Sequence, residues 1–520
     1  MANQTQQESR VKKTWLNARV NLIFYFLNLT LSFFSRKIFL DSLGADFIGL
    51  TGTLYNLLNI LNIVEMGIGA AIGYVLYKPL YDKDRSQINE IISVFGFLYR
   101  WVGIIILIAG VILSLFLPLI FSDISISKPV VFIAFYSFLT TSLIGYFINY
   151  KQTLLSADQR NYVVTAYFQT ANIIKIIIQI ACAYYTNNYY LWIIIELFFG
   201  IIYTFILNWK INQVYPWLKS DVRSGKNLLK KYPNIKTLVK QVFAHRIGGV
   251  IQNQLSPIFI YTFSSLEVVA YYGNYTMLTT KLLELFNNFL GSNNAGVGNL
   301  IAEGNKNKIL NVYWELFSIR TLFVGVTFFF LYYTIPPFIT LWLGGEYVMS
   351  NKVLILALLN FAIGIIRTTT GEFISGFGLY RDIWAPFAQA IIFIIIALIG
   401  GSIWQLEGVL LAGIISQTII ILGWKPFLLF KQGLHIPYHI YLLGFTKHIL
   451  CIVTGGVCFT FLHKNLNNIT PSESWLTLII YSIFVCLILF VFHFTILYIG
   501  CEGLRSATKR LKKTFFSNKN

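Results

Sequence analysis

From residue 18 to residue 500 the chain returns repeatedly to apolar runs of a length set by a lipid bilayer. A helix needs roughly 20 mostly apolar residues to cross about 30 Å of hydrocarbon, whereas a barrel strand needs about 10 alternating ones. The runs have the helical length. About fourteen spans are predicted, at roughly 18–40, 47–77, 92–121, 129–154, 161–184, 189–209, 240–262, 268–300, 310–342, 351–377, 384–404, 408–430, 440–462 and 475–500. With 56% hydrophobic residues, 12% charged residues and a mean hydropathy of +0.66, a soluble globule with one core is excluded. The fold class is therefore all-α, a polytopic membrane protein.

The basic residues orient the spans. Short cytoplasmic loops retain Lys and Arg, so adding or dropping one helix would invert every later loop. Loops assigned to one side hold Arg10, Lys12, Lys13, Lys78, Lys83, Arg85, Lys151, Arg160, the dense 210–246 stretch, Lys306, Lys308, Arg381, Lys425, Lys431 and the tail "RSATKRLKK". The opposite loops carry only Lys128, Lys352 and Lys464. A multi-pass protein with both termini in the cytoplasm is expected. The net charge of +19 is spread over these loops and forms no basic domain, so nucleic acid is not the expected partner.

The five cysteines lie in or beside apolar runs without paired spacing, which predicts no disulfide and no metal. The N-terminal "MANQTQQESRVKKTW" precedes a run too long for a cleaved leader, so the first span is expected to remain as an anchor.

One long polar connection, "KINQVYPWLKSDVRSGKNLLKKYPNIKTLVKQ", separates six spans from six, with two left over. The predicted organisation is an N-terminal lobe at 1–212, a cytoplasmic linker at 213–239, a C-terminal lobe at 240–432, and two extra spans with a basic tail at 433–520. Sliding the chain by 221 residues lays Gly52 on Gly273, Ile88 on Ile309 and Asp82 on Glu303. Six spans per half would give parallel repeats with a site between them near the midplane.

Charged side chains within spans mark that site. Each costs about 2.5 to 3.5 kcal/mol at the bilayer centre and should face protein or water. In the eighth span Asn274, Lys281, Glu284, Asn288 and Ser292 follow helical spacing, as do Asn21, Asn28, Ser32 and Arg36 in the first. Asn59, Asn62 and Glu65 do so in the second, Gln169, Asn172, Lys175 and Gln179 in the fifth, Arg246, Asn253 and Gln254 in the seventh, and Arg367, Thr368, Glu372 and Ser375 in the tenth. Stripes in both halves predict a shared polar interior. Arg36, Lys175, Arg246, Lys281 and Arg367 are its candidate cations. Glu65, Glu284 and Glu372 are candidates for ion coupling or charge pairing. Asn28, Asn62, Asn253 and Asn288 are candidate lining.

A purely structural account stands beside this one. Lys281 and Glu284, three residues apart, can neutralise each other, Arg36, Arg246 and Glu372 can snorkel, and asparagines bond between helices. Lys175 and Arg367 have no acidic neighbour on their own helix face, and an anionic ligand is the expected partner. Small residues late in the second and tenth spans, Gly67, Gly69, Gly73, Ser375, Gly376 and Gly378, serve close packing or bending.

No HExxH, Walker loop or GxSxG is present, and no cofactor is expected. A membrane glycosyltransferase or polysaccharide polymerase is the enzyme alternative. It generally needs a sizeable external loop, and the external loops here are about a dozen residues or fewer, the length of plain connectors.

The stretches "LGADFIGLTGTLYNLLNILNIVEMGIGAAI", "VVAYYGNYTML", "GVGNLIAEGNKNK", "FITLWLGGEYVM", "GLYRDIW", "EGVLLAGIISQ" and "WKPFLLFKQGL" resemble, in this order, bacterial polysaccharide transporters. These are the O-antigen-type oligosaccharide flippases of the multidrug/oligosaccharidyl-lipid/polysaccharide exporter superfamily. The similarity runs from about residue 15 to 435. It implies two six-helix lobes plus two helices, alternating access, and transfer of an undecaprenyl-diphosphate-linked oligosaccharide to the outer leaflet of the bacterial plasma membrane. Membrane lipids and polysaccharide-assembly proteins are the implied partners, and lipopolysaccharide or another surface polysaccharide the implied pathway. Arg36 resembles a family position that holds the diphosphate. The chain departs from relatives at "NQLSP" in the seventh span and at Gln389 and Ile392, where relatives carry acidic residues or Asn. A peptidoglycan-precursor flippase and a multidrug exporter of the same superfamily are the rival transporters. A drug cavity for cations would favour carboxylates, and the first span has none before Asp41.

Overall fold

The computed structural model describes residues 10–65, 68–122, 124–158, 160–233, 235, 239, 254–290, 294–379, 382–464 and 471–517. Helix dominates throughout. Unit 1, Met1–Ala270, contains α1 (Arg10–Leu61), α2 (Ile68–Asp82), α3 (Arg85–Ile120), α4 (Lys128–Ile148), α5 (Gln152–Ala157), α6 (Asn161–Thr186), α7 (Tyr189–Val214), α8 (Gly225–Lys231) and a helical stretch at 254–263, α9. The unit boundary falls inside α10 (Leu266–Leu290). Unit 2 continues with α11 (Asn294–Ala302), α12 (Lys306–Trp342), α13 (Asn351–Phe377), α14 (Trp384–Gln417), α15 (Lys425–Leu428), α16 (Tyr438–Lys464), α17 (Trp475–Gly500) and α18 (Glu502–Ser517).

Among the described residues, ten helices are long and apolar enough to cross a membrane, and the chain is a polytopic all-α membrane protein. Two of the ten hold a break where the sequence predicts a loop. The first and second spans are arms of α1, joined at Gly44 with φ 80° and ψ 160°. Only glycine takes that conformation without a Cβ clash, so the expected loop shrinks to one kinked residue. The second arm breaks again at the 3₁₀ turn Asn62–Glu65, ahead of α2. The eleventh and twelfth spans are likewise arms of one continuous segment, parted where Trp404 and Gln405 leave helical geometry. The polar stripe of α10 keeps that helix outside the apolar set.

Local signals set many of the ends. Asp84, Asn188, Asn305 and Ser350 cap α3, α7, α12 and α13 with side-chain oxygens, and Ser474 with Thr477 forms a capping box on α17. Asn187 and Gly378, both left-handed, stop α6 and α13. On α17 the exposed side is Leu476, Ile479, Ile480, Ile483, Leu487 and Val491, a lipid-facing stripe, while Leu478, Tyr481, Val485 and Leu489 are buried. The opposite stripe packs with Val326 and Phe459 on α12 and α16.

The polar connection at 213–239 is partly folded onto α3. Lys219 N donates to Asn89 Oδ1 at 3.0 Å and Asp221 N to Ser93 Oγ at 2.9 Å, while Lys231 pairs with Glu90 at 2.7 Å. Residues 254–270 cluster with unit 1, whereas the sequence assigns them to the C-terminal lobe. Their contacts within the unit explain it: Phe121 stacks on Tyr261, and Arg36 Nη2 donates to the Ala270 carbonyl at 2.7 Å.

Candidate functional site

Within unit 1 a cavity of about 510 Å³ opens among the second arm of α1, α3, α4, α6 and α7. Its lining is aromatic and polar: Tyr55, Tyr99, Tyr146, Phe168, Phe199 and Tyr203, with Thr141, Ser142, Asn149, Gln152, Asn172 and Thr204 between them. Three charges face it, Glu65, Lys175 and Glu196.

Lys175, half-way along α6, is not free. Its ammonium lies 2.7 Å from Glu196 Oε1 on α7, which also accepts Tyr55 Oη at 2.8 Å; Gln179 Nε2 donates to Glu196 Oε2 at 3.0 Å. The expected partner of Lys175 is an anionic ligand; the structure places an acidic side chain of the chain itself there. The acid stands on the adjacent helix, and helical spacing within α6 cannot disclose it. Glu196 itself sits in the apolar run "YYLWIIIELFFGIIY" and was absent from the predicted site, although an acid at that depth is the very signal that marks one.

Glu65 lies across the cavity at the break in the second span. Two phenols, Tyr99 and Tyr146, donate to its carboxylate, the second at 2.6 Å. The Tyr146 hydroxyl also stands 3.0 Å from Asn62 Oδ1, but it has one proton to give, and the shorter, charge-assisted contact takes it. Ser142 supplies Asn62 at 3.3 Å. Asn28 donates to Gln169 at 3.0 Å and accepts from Asn172 at 3.3 Å, an amide ladder between α1 and α6. Arg36 does not line the cavity; it reaches Ala270 instead.

In unit 2, Lys281 and Glu284 pair within α10 at 2.9 Å, the outcome their spacing allows. Asn274 of the same predicted stripe is fully buried, so that stripe does not present one uniform wet face. Glu372 is also paired: Arg320 Nη2 of α12 stands 2.5 Å from Glu372 Oε1, with Arg320 Nη1 donating to Thr369 at 2.7 Å. The pair is 2% and 8% exposed, so the predicted snorkelling of Glu372 does not occur. Arg320, like Glu196, was missed by the sequence reading despite lying inside an apolar run.

Arg367 behaves differently. It is exposed and makes no ion pair or hydrogen bond among the described residues. From residue 364 to 376 every residue that is not buried is Gly364, Arg367, Thr368, Gly371, Ser375 or Gly376. A face of Gly, Ser, Thr and one guanidinium is unsuited to acyl chains, in contrast to the exposed Ile355 and Leu359 nearer the start of α13. Arg246 and Asn253 lie outside the described residues, as does the side chain of Asn288. No group of three or more His, Cys, Asp or Glu side chains able to hold a metal occurs among the described residues.

No protein-family model matches the sequence, and no curated protein does either. Solved structures do match. A lipid II flippase, MurJ, in an inward closed conformation aligns with TM-score 0.61 at 16% identity, covering 93% of this chain and 98% of the flippase. An inward-facing multidrug resistance MATE family transporter of the MOP superfamily aligns with TM-score 0.54 at 14% identity, covering 79% and 97%. At these identities the likeness is one of fold.

Proposed function

We propose that this chain is a flippase that moves an undecaprenyl-diphosphate-linked oligosaccharide across a bacterial plasma membrane by alternating access. The observation that carries the reading is Arg367, an exposed guanidinium within a membrane helix, without an ion pair or hydrogen bond among the described residues, on a face of small and polar residues. A lone cation at that depth is tolerable where water reaches it and useful where an anion meets it. A diphosphate is such an anion. It cannot cross hydrocarbon unaided, its lipid tail can stay in the bilayer, and a guanidinium offers it a bidentate fork.

The fold supports the same reading, because a lipid II flippase and a multidrug resistance transporter share it over most of this chain. The sequence resemblance to polysaccharide transporters selects an oligosaccharide as cargo. Arg36, Arg246 and Lys281 are proposed as further contributors to headgroup binding, and Glu65 as the carboxylate available for ion coupling. Glu284 and Glu372 are assigned to charge pairing. The likeness to a lipid II flippase favours a lipid-linked peptidoglycan precursor as the second reading.

The test is purified protein reconstituted into vesicles with labelled lipid-linked glycan. Translocation without chain growth supports a flippase; elongation of the glycan assigns the protein to polymerases instead.

A further inference from the structure

We infer that the unit 1 cavity is a sugar subsite that accepts neutral or amino-bearing pyranose rings and rejects acidic ones, while the diphosphate binds elsewhere. The inference rests on the flippase reading and names where its sugar lies and which sugars fit. Three observations carry it.

The first is charge. Two carboxylates, Glu65 and Glu196, face the cavity against one ammonium, Lys175, so with all three ionised it holds one negative charge in excess. Lys175 is already held by Glu196 at 2.7 Å. A diphosphate entering here would meet a neutralised lysine and an unneutralised Glu65. It would be repelled, as would a uronic acid.

The second is shape and surface. The ring faces of a pyranose are patches of C–H, and they pack well on aromatic planes. Phe168 and Tyr203 stand edge to face at 5.1 Å on α6 and α7, and Tyr55 is braced by stacking on Phe138 at 4.3 Å. The volume of about 510 Å³ is that of a small-molecule site.

The third is hydrogen-bonding capacity. Sugar hydroxyls must be satisfied when they leave water. Glu65, held among the described residues by two phenols, retains acceptor capacity for a hydroxyl or an ammonium; the amides of Asn149, Gln152 and Asn172 supply donors and acceptors, and Thr141 and Thr204, whose protons go to the Ser137 and Gly200 carbonyls, supply acceptors.

The experiment is saturation-transfer NMR of the full chain in phosphatidylcholine nanodiscs with four probes: methyl glucoside, methyl glucosaminide, methyl glucuronide and pyrophosphate. The glucoside and glucosaminide should bind, the glucuronide should bind about tenfold more weakly or not at all, and pyrophosphate should not displace the bound glycosides. Phe168→Ala and Tyr203→Ala should each weaken glucoside binding by about tenfold. Glu65→Gln should narrow the glucuronide's disadvantage to about threefold. Equal binding of glucuronide and glucoside by the natural protein, displacement by pyrophosphate, binding indifferent to both aromatic variants, or no glycoside binding at all would each overturn the assignment. Tetraphenylphosphonium binding that needs Glu65 and excludes the glycosides would overturn it in favour of lipophilic cations. Transport of lipid-linked glycan is scored separately in vesicles. Its absence with glycoside binding intact strikes the flippase reading, and its presence without glycoside binding strikes the subsite.

Discussion

Lys175 Nζ and Glu196 Oε1 lie 2.7 Å apart across α6 and α7, on the wall of the unit 1 cavity, with side chains 17% and 10% exposed. Removing the acid leaves an ammonium in a partly desolvated wall without its counter-charge. Glu196→Gln is expected to lower stability by about 1 to 3 kcal/mol, below the full penalty of a dry pair because the cavity admits water. The double variant Lys175→Gln with Glu196→Gln should recover part of the loss. Thermal melting in detergent checks this, and a double variant less stable than the single would contradict the coupling.

The Arg320–Glu372 pair is drier. Arg320 Nε and Glu372 Oε2 have no hydrogen-bond partner among the described residues, so the pair is incompletely satisfied. Breaking it with Glu372→Ala should cost about 3 to 5 kcal/mol and reduce the yield of monodisperse protein on size exclusion. Replacing both, Arg320→Met with Glu372→Leu, should restore the yield, because an apolar pair of similar volume escapes the desolvation penalty.

Gly49 in α1 backs onto the main chain of Leu266. A Cβ built there would lie 2.0 Å from the Leu266 carbonyl oxygen, and a backbone atom cannot move aside as a side chain can. Gly49→Ala should therefore destabilise unit 1 by about 1 to 3 kcal/mol. Gly52→Ala, with open space around its Cβ, is the matched control and should be neutral or gain a fraction of about 1 kcal/mol from helix propensity. Melting curves of the two variants should move apart; equal shifts would contradict the close approach.

The sequence made the membrane fold legible because hydrophobic length is a local property. It did not disclose that Gly44 would merge two spans into one kinked helix, since a six-residue loop and a one-residue kink share the same small and polar letters. Charges were legible as charges and not as pairs. Lys281 and Glu284 were readable because both partners sit on one helix, at i and i+3. Lys175 with Glu196, and Arg320 with Glu372, each join two helices, and no periodicity within one element encodes which neighbour it will face. The cavity walls are legible only in part: the polar stripes mark Glu65, Asn172 and Lys175, but nothing in the spacing singles out Tyr99 and Tyr146. Their hydroxyls matter because both donate to Glu65 at the end of the 3₁₀ turn Asn62–Glu65.

Transport by Arg367 variants tests the central claim most directly. The natural protein, Arg367→Ala and Arg367→Lys are reconstituted into vesicles with a fluorescent undecaprenyl-diphosphate oligosaccharide, and access of an impermeant quencher reports translocation. Loss of a charge-assisted phosphate contact worth about 1.5 to 3 kcal/mol predicts that Arg367→Ala flips at least about tenfold more slowly than the natural protein, with Arg367→Lys between them and both variants folded. Translocation by folded Arg367→Ala at the natural rate would contradict the account.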